Sequence, residues 1–398
     1  MSSPLDLRRV ASAVGAAAGL LAVGAAAGVV AERTVVARSG RADPEGDEPF
    51  GKLHTAPVVV TDSSGMPLHV EVEECTRDNP DDLTIVFCHG YALNQDCWHY
   101  QRRDLRSQGR LVLWDQRSHG RSHRSVAETN TIDQLGRDLR AVLDTVVPSG
   151  PVILVGHSMG GMTIMQLALD APELFGTRVR GVALLSTSPG GLQDVSLGLP
   201  QFAAKPLHRL LPVTAAVLMR NADLVEMGRS RVNDLSLLFT RYYSFGSTAS
   251  PAVAEFTHRI LSQTPIDVIS EFLPTLQQHE RHMALATISA VPSLVMVGDI
   301  DRMTPPEHSR LMAAQLPGTV FEEVPDAGHM MILERYELVN DRLRQLVARV
   351  RARMQVDPYV EIGPTATDAE VVADTRAPHL RTRGPAMDGS GDDAGPGA

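Results

Sequence analysis

The sequence predicts an α/β protein: a mostly parallel central sheet flanked by helices, with an inserted helical cap. Three observations carry that expectation. Short apolar runs alternate with helix-like stretches over residues 83–185, and strands separated by whole helices pair in parallel. The alternation lapses over 190–275, where Leu, Val, Met and Phe recur at helical spacing between Pro200, Pro206, Pro212 and Pro251. It resumes with the apolar run Leu294-Val295-Met296-Val297.

The elements follow in order. Residues 1–9 form a basic segment ending in Arg8 and Arg9. Val10 to Ala31 then carries no charge, and about 22 residues suffice to span a bilayer as a helix. Two readings of 10–31 stand side by side. One is a retained transmembrane anchor, with Gly15-x-x-x-Gly19 and Gly24-x-x-x-Gly28 as small-residue packing positions. The other is a secretory signal cleaved after Val29-Val30-Ala31. The protein is accordingly expected on a membrane, or secreted if the segment is removed. Residues 32–53, rich in Gly, Pro, Asp and Glu, read as a linker.

The first part of the core is placed at 54–189. Pro57–Thr61 and Pro67–Val72 flank Asp62-Ser63-Ser64-Gly65 and predict a hairpin. Strands are expected at Leu83–Cys88, Arg110–Asp115 and Val179–Leu185, with a helix over Trp98–Arg106. Ile132, Leu135, Leu139 and Leu143 lie on one face of a helix over Ile132–Val147. After the cap, the second part of the core spans 276–354. It comprises strands at 293–298 and 320–324, a helix over Glu307–Leu316 and a last helix over Met330–Met354. The tail 355–398, dominated by Pro, Asp, Ala, Gly and Thr, is expected to be disordered.

Composition narrows the function. Among 398 residues, 43% are hydrophobic and 21% charged, as in a globular protein. A net charge of −10 speaks against a nucleic-acid partner. Cys75, Cys88 and Cys97 are odd in number and contain no C-x-x-C, so no disulfide framework is implied. No H-E-x-x-H and no phosphate-cradling glycine loop occurs, and His119 with His123 reads as a polar loop pair. Neither a metal nor another cofactor is expected.

The chemistry is concentrated at Val152–Gly161. Val152-Ile153-Leu154-Val155 reads as a buried strand, Gly156-His157-Ser158-Met159-Gly160 as a sharp turn, and Met162–Leu169 as a helix. In such an elbow the serine adopts a strained backbone that holds its hydroxyl out, and Gly156 and Gly160 are small because the turn is tight. A serine needs a base, a group to orient the base, and donors for the oxyanion. His329, in the turn after the last predicted strand, is the candidate base. The acid should follow the preceding strand, where Gly298-Asp299-Ile300-Asp301 supplies two candidates. Asp301 is preferred, with Asp299 as the alternative that caps the turn. The amide of Met159, at a helix start, and that of Tyr91, after Gly90, are the candidate oxyanion donors. A histidine base predicts activity that rises with pH over roughly 6 to 7.

Over about residues 55–353 the chain resembles the α/β-hydrolase fold superfamily, as a serine esterase or lipase-like member. The resemblance rests on His89-Gly90-Tyr91, Asp115-Gln116-Arg117-Ser118-His119-Gly120-Arg121-Ser122, the Gly156–Gly161 elbow, Gly298-x-x-Asp301-x-x-x-Pro305 and Gly328-His329. It implies a triad of Ser158, Asp301 and His329 with Tyr91 and Met159 as oxyanion amides, and a structural role for 115–122. Ser118 stands where that segment usually has glycine, so a shifted turn is expected. Dehalogenases and epoxide hydrolases of this fold use aspartate at the elbow, so Ser158 favours ester hydrolysis through an acyl-enzyme. The apolar cap and the 10–31 segment favour a small-molecule or lipid ester with a lipophilic acyl group. Carbon–carbon-bond hydrolases and cofactorless haloperoxidases or perhydrolases share the triad and stand as the alternative reading. A non-catalytic binding protein on the same fold is a further one.

Overall fold

The computed structural model describes residues 43–357 apart from 63, 79–81, 196–236 and 238. The expectations for 1–42, for 196–236 of the cap and for the tail beyond 357 lie outside the described residues.

The strands are β1 (Pro57–Thr61), β2 (Pro67–Glu73), β3 (Thr84–Cys88), β4 (Arg110–Trp114), β5 (Val152–His157), β6 (Val179–Leu185), β7 (Ser293–Gly298) and β8 (Val320–Val324). They form one eight-stranded sheet in the order β1-β2-β4-β3-β5-β6-β7-β8. The first two pairings, β1 with β2 and β2 with β4, are antiparallel, and from β4 to β8 every pairing is parallel. The helices are α1 (His99–Asp104), α2 (Ile132–Val146), α3 (Met159–Asp170), α4 (Pro251–Gln263), α5 (Ile266–Gln277), α6 (Ala284–Ile288), α7 (Pro306–Gln315), α8 (Met331–Glu334) and α9 (Tyr336–Val356). Between β6 and β7 the described cap residues are helical over 239–244 and in α4 and α5.

Both faces of the central strands β3, β5, β6 and β7 are covered, which is why these strands read as apolar runs. Along β3, Ile85 and Phe87 point to one core with α4, α8 and α9. Val86 and Cys88 point to the other, with α2, α3 and α6. Burial pushes the Cys88 thiol up to about 12, so it behaves as a small apolar filler.

Of two expected helices, one holds and one is broken. The first is α1, unbroken within the expected range and preceded by a 3₁₀ turn over Gln95–Trp98 that Asn94 caps by accepting from the Asp96 amide. The last splits into α8 and α9 at Arg335, whose φ of −126° and ψ of 36° are not helical. The cause is a polar clamp. Glu334 turns back to accept from the amides of Gly246 (2.9 Å) and Gly328 (2.9 Å), and Arg335 donates to the Asp326 carbonyl at 2.7 Å. The break gives up helix continuity to hold the 326–330 turn, which carries His329. The short α6, which the sequence pattern does not announce, packs on α3 through Ala284, Leu285 and Ile288.

Candidate active site

The site lies at the carboxyl ends of β3, β5 and β7 and in the turn after β8, the region where open parallel sheets hold ligands. Ser158 follows β5 and precedes α3, with φ 53° and ψ −120°, a conformation costly for a residue with a Cβ. Its neighbours make room for that turn. A Cβ on Gly160 would lie 1.9 Å from the Cys88 carbonyl oxygen, and one on Gly156 would lie 2.6 Å from the Gly160 backbone. The backbone is pinned on both sides: the Ser158 amide donates to Leu185 (3.0 Å) and the Thr187 hydroxyl donates to the Ser158 carbonyl (2.7 Å).

His329 lies in the turn between β8 and α8. Its Nδ1 is 2.9 Å from Asp301 Oδ2 and 3.1 Å from Oδ1. A carboxylate only accepts, so Nδ1 carries the proton and Nε2 keeps a lone pair. Asp301 is fully occupied. Its Oδ1 accepts the amides of Met303 and Thr304, each at 2.9 Å, and its Oδ2 accepts the Thr304 hydroxyl at 2.9 Å. Burial alone would raise this carboxyl, but the His329 imidazole and the Thr304 bonds outweigh it and hold it below the usual carboxylate range. Asp299, the alternative acid, is exposed and touches the Ala327 amide at 3.4 Å, so it ties the turn and does not meet His329.

Ser158 and His329 line one cavity of about 350 Å³ beneath the cap. Its other walls include Tyr91, Met162, Tyr243 and Met303, and no Asp, Glu, Lys or Arg lines it among the described residues. Tyr91, on the loop after β3, lines the same space, and Met159, first residue of α3, directly follows Ser158. The amide of neither is engaged by another described residue. Met159 donates from a helix start, where the N–H has no intrahelical acceptor.

Several neighbours have structural tasks. His89 donates through Nδ1 to the Gly90 carbonyl at 2.8 Å and accepts at Nε2 from the Gln116 amide at 2.9 Å. Burial pushes it down to about 3, so it is a neutral strut. Asp115 accepts the amides of Gln95 (2.7 Å) and Arg121 (2.8 Å) and shapes the 115–122 turn. Ser118, in the glycine position of that turn, sits at φ 62°. Its hydroxyl bonds Asn130 Oδ1 at 3.0 Å and accepts the Ser125 amide at 3.0 Å, which hold the strained residue in place.

Sequence reasoning missed three residues. Thr304 bonds Asp301 and lies 3.4 Å from His329 Nδ1. Its signal was legible as an Asp followed three residues on by Thr, the pattern of a side-chain-capped turn. His157, inside the elbow, donates through Nε2 to the His329 carbonyl at 2.9 Å, and burial pushes it down to about 3. Tyr243, from the cap, had no local signal, because its role comes from how the cap folds back.

The sequence matches the alpha/beta hydrolase fold family over residues 84–336. It is 28% identical over 272 residues to the dihydrolipoyllysine-residue acetyltransferase component of the acetoin cleaving system of Cupriavidus necator, a match covering 66% of this chain and 63% of that one. The chain thus spans less than two thirds of that relative's length. It is 26% identical over 290 residues to 3-oxoadipate enol-lactonase 1 of Acinetobacter baylyi, covering 72% of this chain and 95% of that one. Among solved structures, a thermophilic esterase from Thermogutta terrifontis shares the fold with a TM-score of 0.56 at 21% identity, over 74% of this chain and 99% of that chain.

Proposed function

The chain belongs to the α/β-hydrolase fold family, and from that premise we propose that it is a serine hydrolase of carboxylic esters with uncharged, lipophilic acyl groups. The observation that carries the reading is that Ser158, on its positive-φ turn, and His329, bonded through Nδ1 to Asp301, line one cavity without a charged wall among the described residues. In this mechanism His329 Nε2 takes the Ser158 proton as Oγ attacks the ester carbonyl. The negative oxygen of the tetrahedral intermediate accepts from the Tyr91 and Met159 amides, and His329⁺ protonates the departing alcohol. Water then enters by the reverse sequence, with His329 again as base, and frees the acid. Asp301 stays ionised throughout and stabilises the imidazolium. An uncharged wall favours apolar acyl chains, because a carboxylate buried there would lack a partner.

A panel of p-nitrophenyl esters from acetate to laurate, with a succinate half-ester as the charged control, tests this reading. Medium chains are expected to give the highest kcat/KM and the charged ester the lowest. Preference for the charged ester would overturn the specificity. Acidification is expected to remove activity in a single step, because the base must be unprotonated; the sign is a loss as pH falls. His89 and His157, both held near 3, stay neutral through that range and do not supply the step. A flat profile from pH 5 to 8 would exclude a histidine base.

We further propose that residues 10–31 attach the protein to a membrane, a reading supported by an uncharged stretch of bilayer-spanning length. Among the described residues no helix is long and apolar enough to cross a membrane, and 10–31 lie outside them. The full chain is expected to stay with the membrane pellet in alkaline carbonate, and a chain starting at residue 43 to be released. Release of both would overturn the attachment.

A further inference from the structure

We propose that the cap sets the geometry of the oxyanion loop, so that Tyr91, Gln263 and Thr264 are positioning residues for turnover. The inference rests on the ester-hydrolase reading and asks what holds one of its two oxyanion donors in place.

The two donors are supported differently. Met159 belongs to the elbow and α3, pinned to the sheet through Leu185 and Thr187. Tyr91 belongs to the loop 90–94, which the sheet side holds at its start, where His89 Nδ1 donates to the Gly90 carbonyl at 2.8 Å, and which further on is tied to the cap. Within that loop the Leu93 amide reaches the Gly90 carbonyl at 3.2 Å, and Ala92 sits at φ 58°. An alanine gains nothing in that region of backbone space, and such residues persist where their surroundings over-determine them.

The surroundings here are the cap. The Thr264 hydroxyl donates to the carbonyl of Ala92 itself at 2.9 Å, a bond shielded from water. Asn94 Nδ2 donates to Gln263 Oε1 at 2.9 Å. The Tyr91 hydroxyl donates to the carbonyl of Ile269 on α5. Three successive ties thus run from the loop to the end of α4, the turn after it and the first turns of α5. Leu261 and Ile269 of those helices also line the cavity, so a group bound beneath the cap touches the elements that hold the loop.

This arrangement has a catalytic consequence. An oxyanion donor works over a narrow range, about 2.7–3.1 Å from the developing charge, and removing one costs roughly a hundred- to a thousand-fold in kcat. A cap displaced by part of an ångström relaxes Ala92 and moves one donor while the other stays fixed. Cap position therefore acts on the chemical step and not only on substrate affinity.

The test separates these effects with two esters and conservative variants of the full chain. p-Nitrophenyl acetate has a two-carbon acyl group that draws little from the apolar cap, whereas the octanoate fills more of the cavity. Thr264→Val and Tyr91→Phe keep shape and lose the hydroxyl. Each is expected to lower kcat by roughly ten-fold for both esters, with KM for the acetate nearly unchanged. Thr264→Ser, which keeps the donor, is expected to retain kcat within about two-fold. Gln263→Ala, at an exposed position where folding is not at stake, is expected to give a smaller loss in the same sense. Unchanged kcat for the acetate in Thr264→Val, Tyr91→Phe and Gln263→Ala alike, with only KM for the octanoate raised, would overturn the inference and leave the cap as a binding lid. That outcome, seen while wild-type turnover still depends on Ser158, leaves the ester-hydrolase reading intact. Absence of any Ser158-dependent turnover in the wild type would overturn both.

Discussion

Ester hydrolysis by the Ser158→Ala protein is expected to fall by about a million-fold, to what binding and the oxyanion amides supply without a nucleophile. The expectation is sharp because the substitution leaves the rest of the turn in place. At φ 53° alanine and serine share the same steric penalty, so the backbone strain is unchanged. The bonds that fix the turn run from the Ser158 amide to Leu185 and from Thr187 to the Ser158 carbonyl, and both are made by the main chain of residue 158. The melting temperature should therefore move little, and loss of activity reports on the hydroxyl. Covalent labelling by a fluorophosphonate should vanish in parallel. Labelling that survives the substitution would mean that another residue is the nucleophile.

The second large effect is expected from Asp301→Asn, at about ten-thousand-fold in kcat. An asparagine at 301 can still accept the Met303 and Thr304 amides through its carbonyl oxygen, so the turn keeps its shape. Its NH₂ group, turned to His329, can only donate. The imidazole then accepts at Nδ1 and carries its proton on Nε2, where it cannot take one from Ser158. Loss of the carboxylate also removes the charge that stabilises the imidazolium. Asp299→Asn is the matched control, since Asp299 is exposed and its contact with Ala327 is long at 3.4 Å. It should cost less than about three-fold. A larger loss at 299 than at 301 would reverse the assignment of the acid.

The sheet and its order of elements were legible because the central parallel strands, such as β3, β5, β6 and β7, are buried on both faces and so leave unbroken apolar runs. The elbow was legible for the opposite reason: its glycines are imposed by contacts a few residues away, such as Gly156 against Gly160. The pairing of Asp301 with His329 followed from position, since both sit at strand ends that the sheet brings together. What the sequence did not reveal depends on distant partners. The break at Arg335 exists because Glu334 reaches back to Gly246 and Gly328, one of them in the cap. The left-handed backbone of Ala92 is held by Thr264, far along the chain, and no local pattern marks it. Cavity residues such as Tyr243 sit in a helical segment whose spacing says that it buries a face but not what it covers.

The pairing of β6 with β7 has a consequence during synthesis. The chain emerges from its amino end, and β6 is complete long before Ser293 leaves the ribosome. Until the whole cap segment has been made, the nascent sheet ends at Val179–Leu185, every residue of which is buried in the finished protein. An uncovered apolar edge of this kind invites pairing with another chain. Asp301 and His329 follow β7 and β8, so the late strands that seal and extend that edge also bring them to the elbow. A chain interrupted within the cap is thus expected to be both inactive and prone to aggregate.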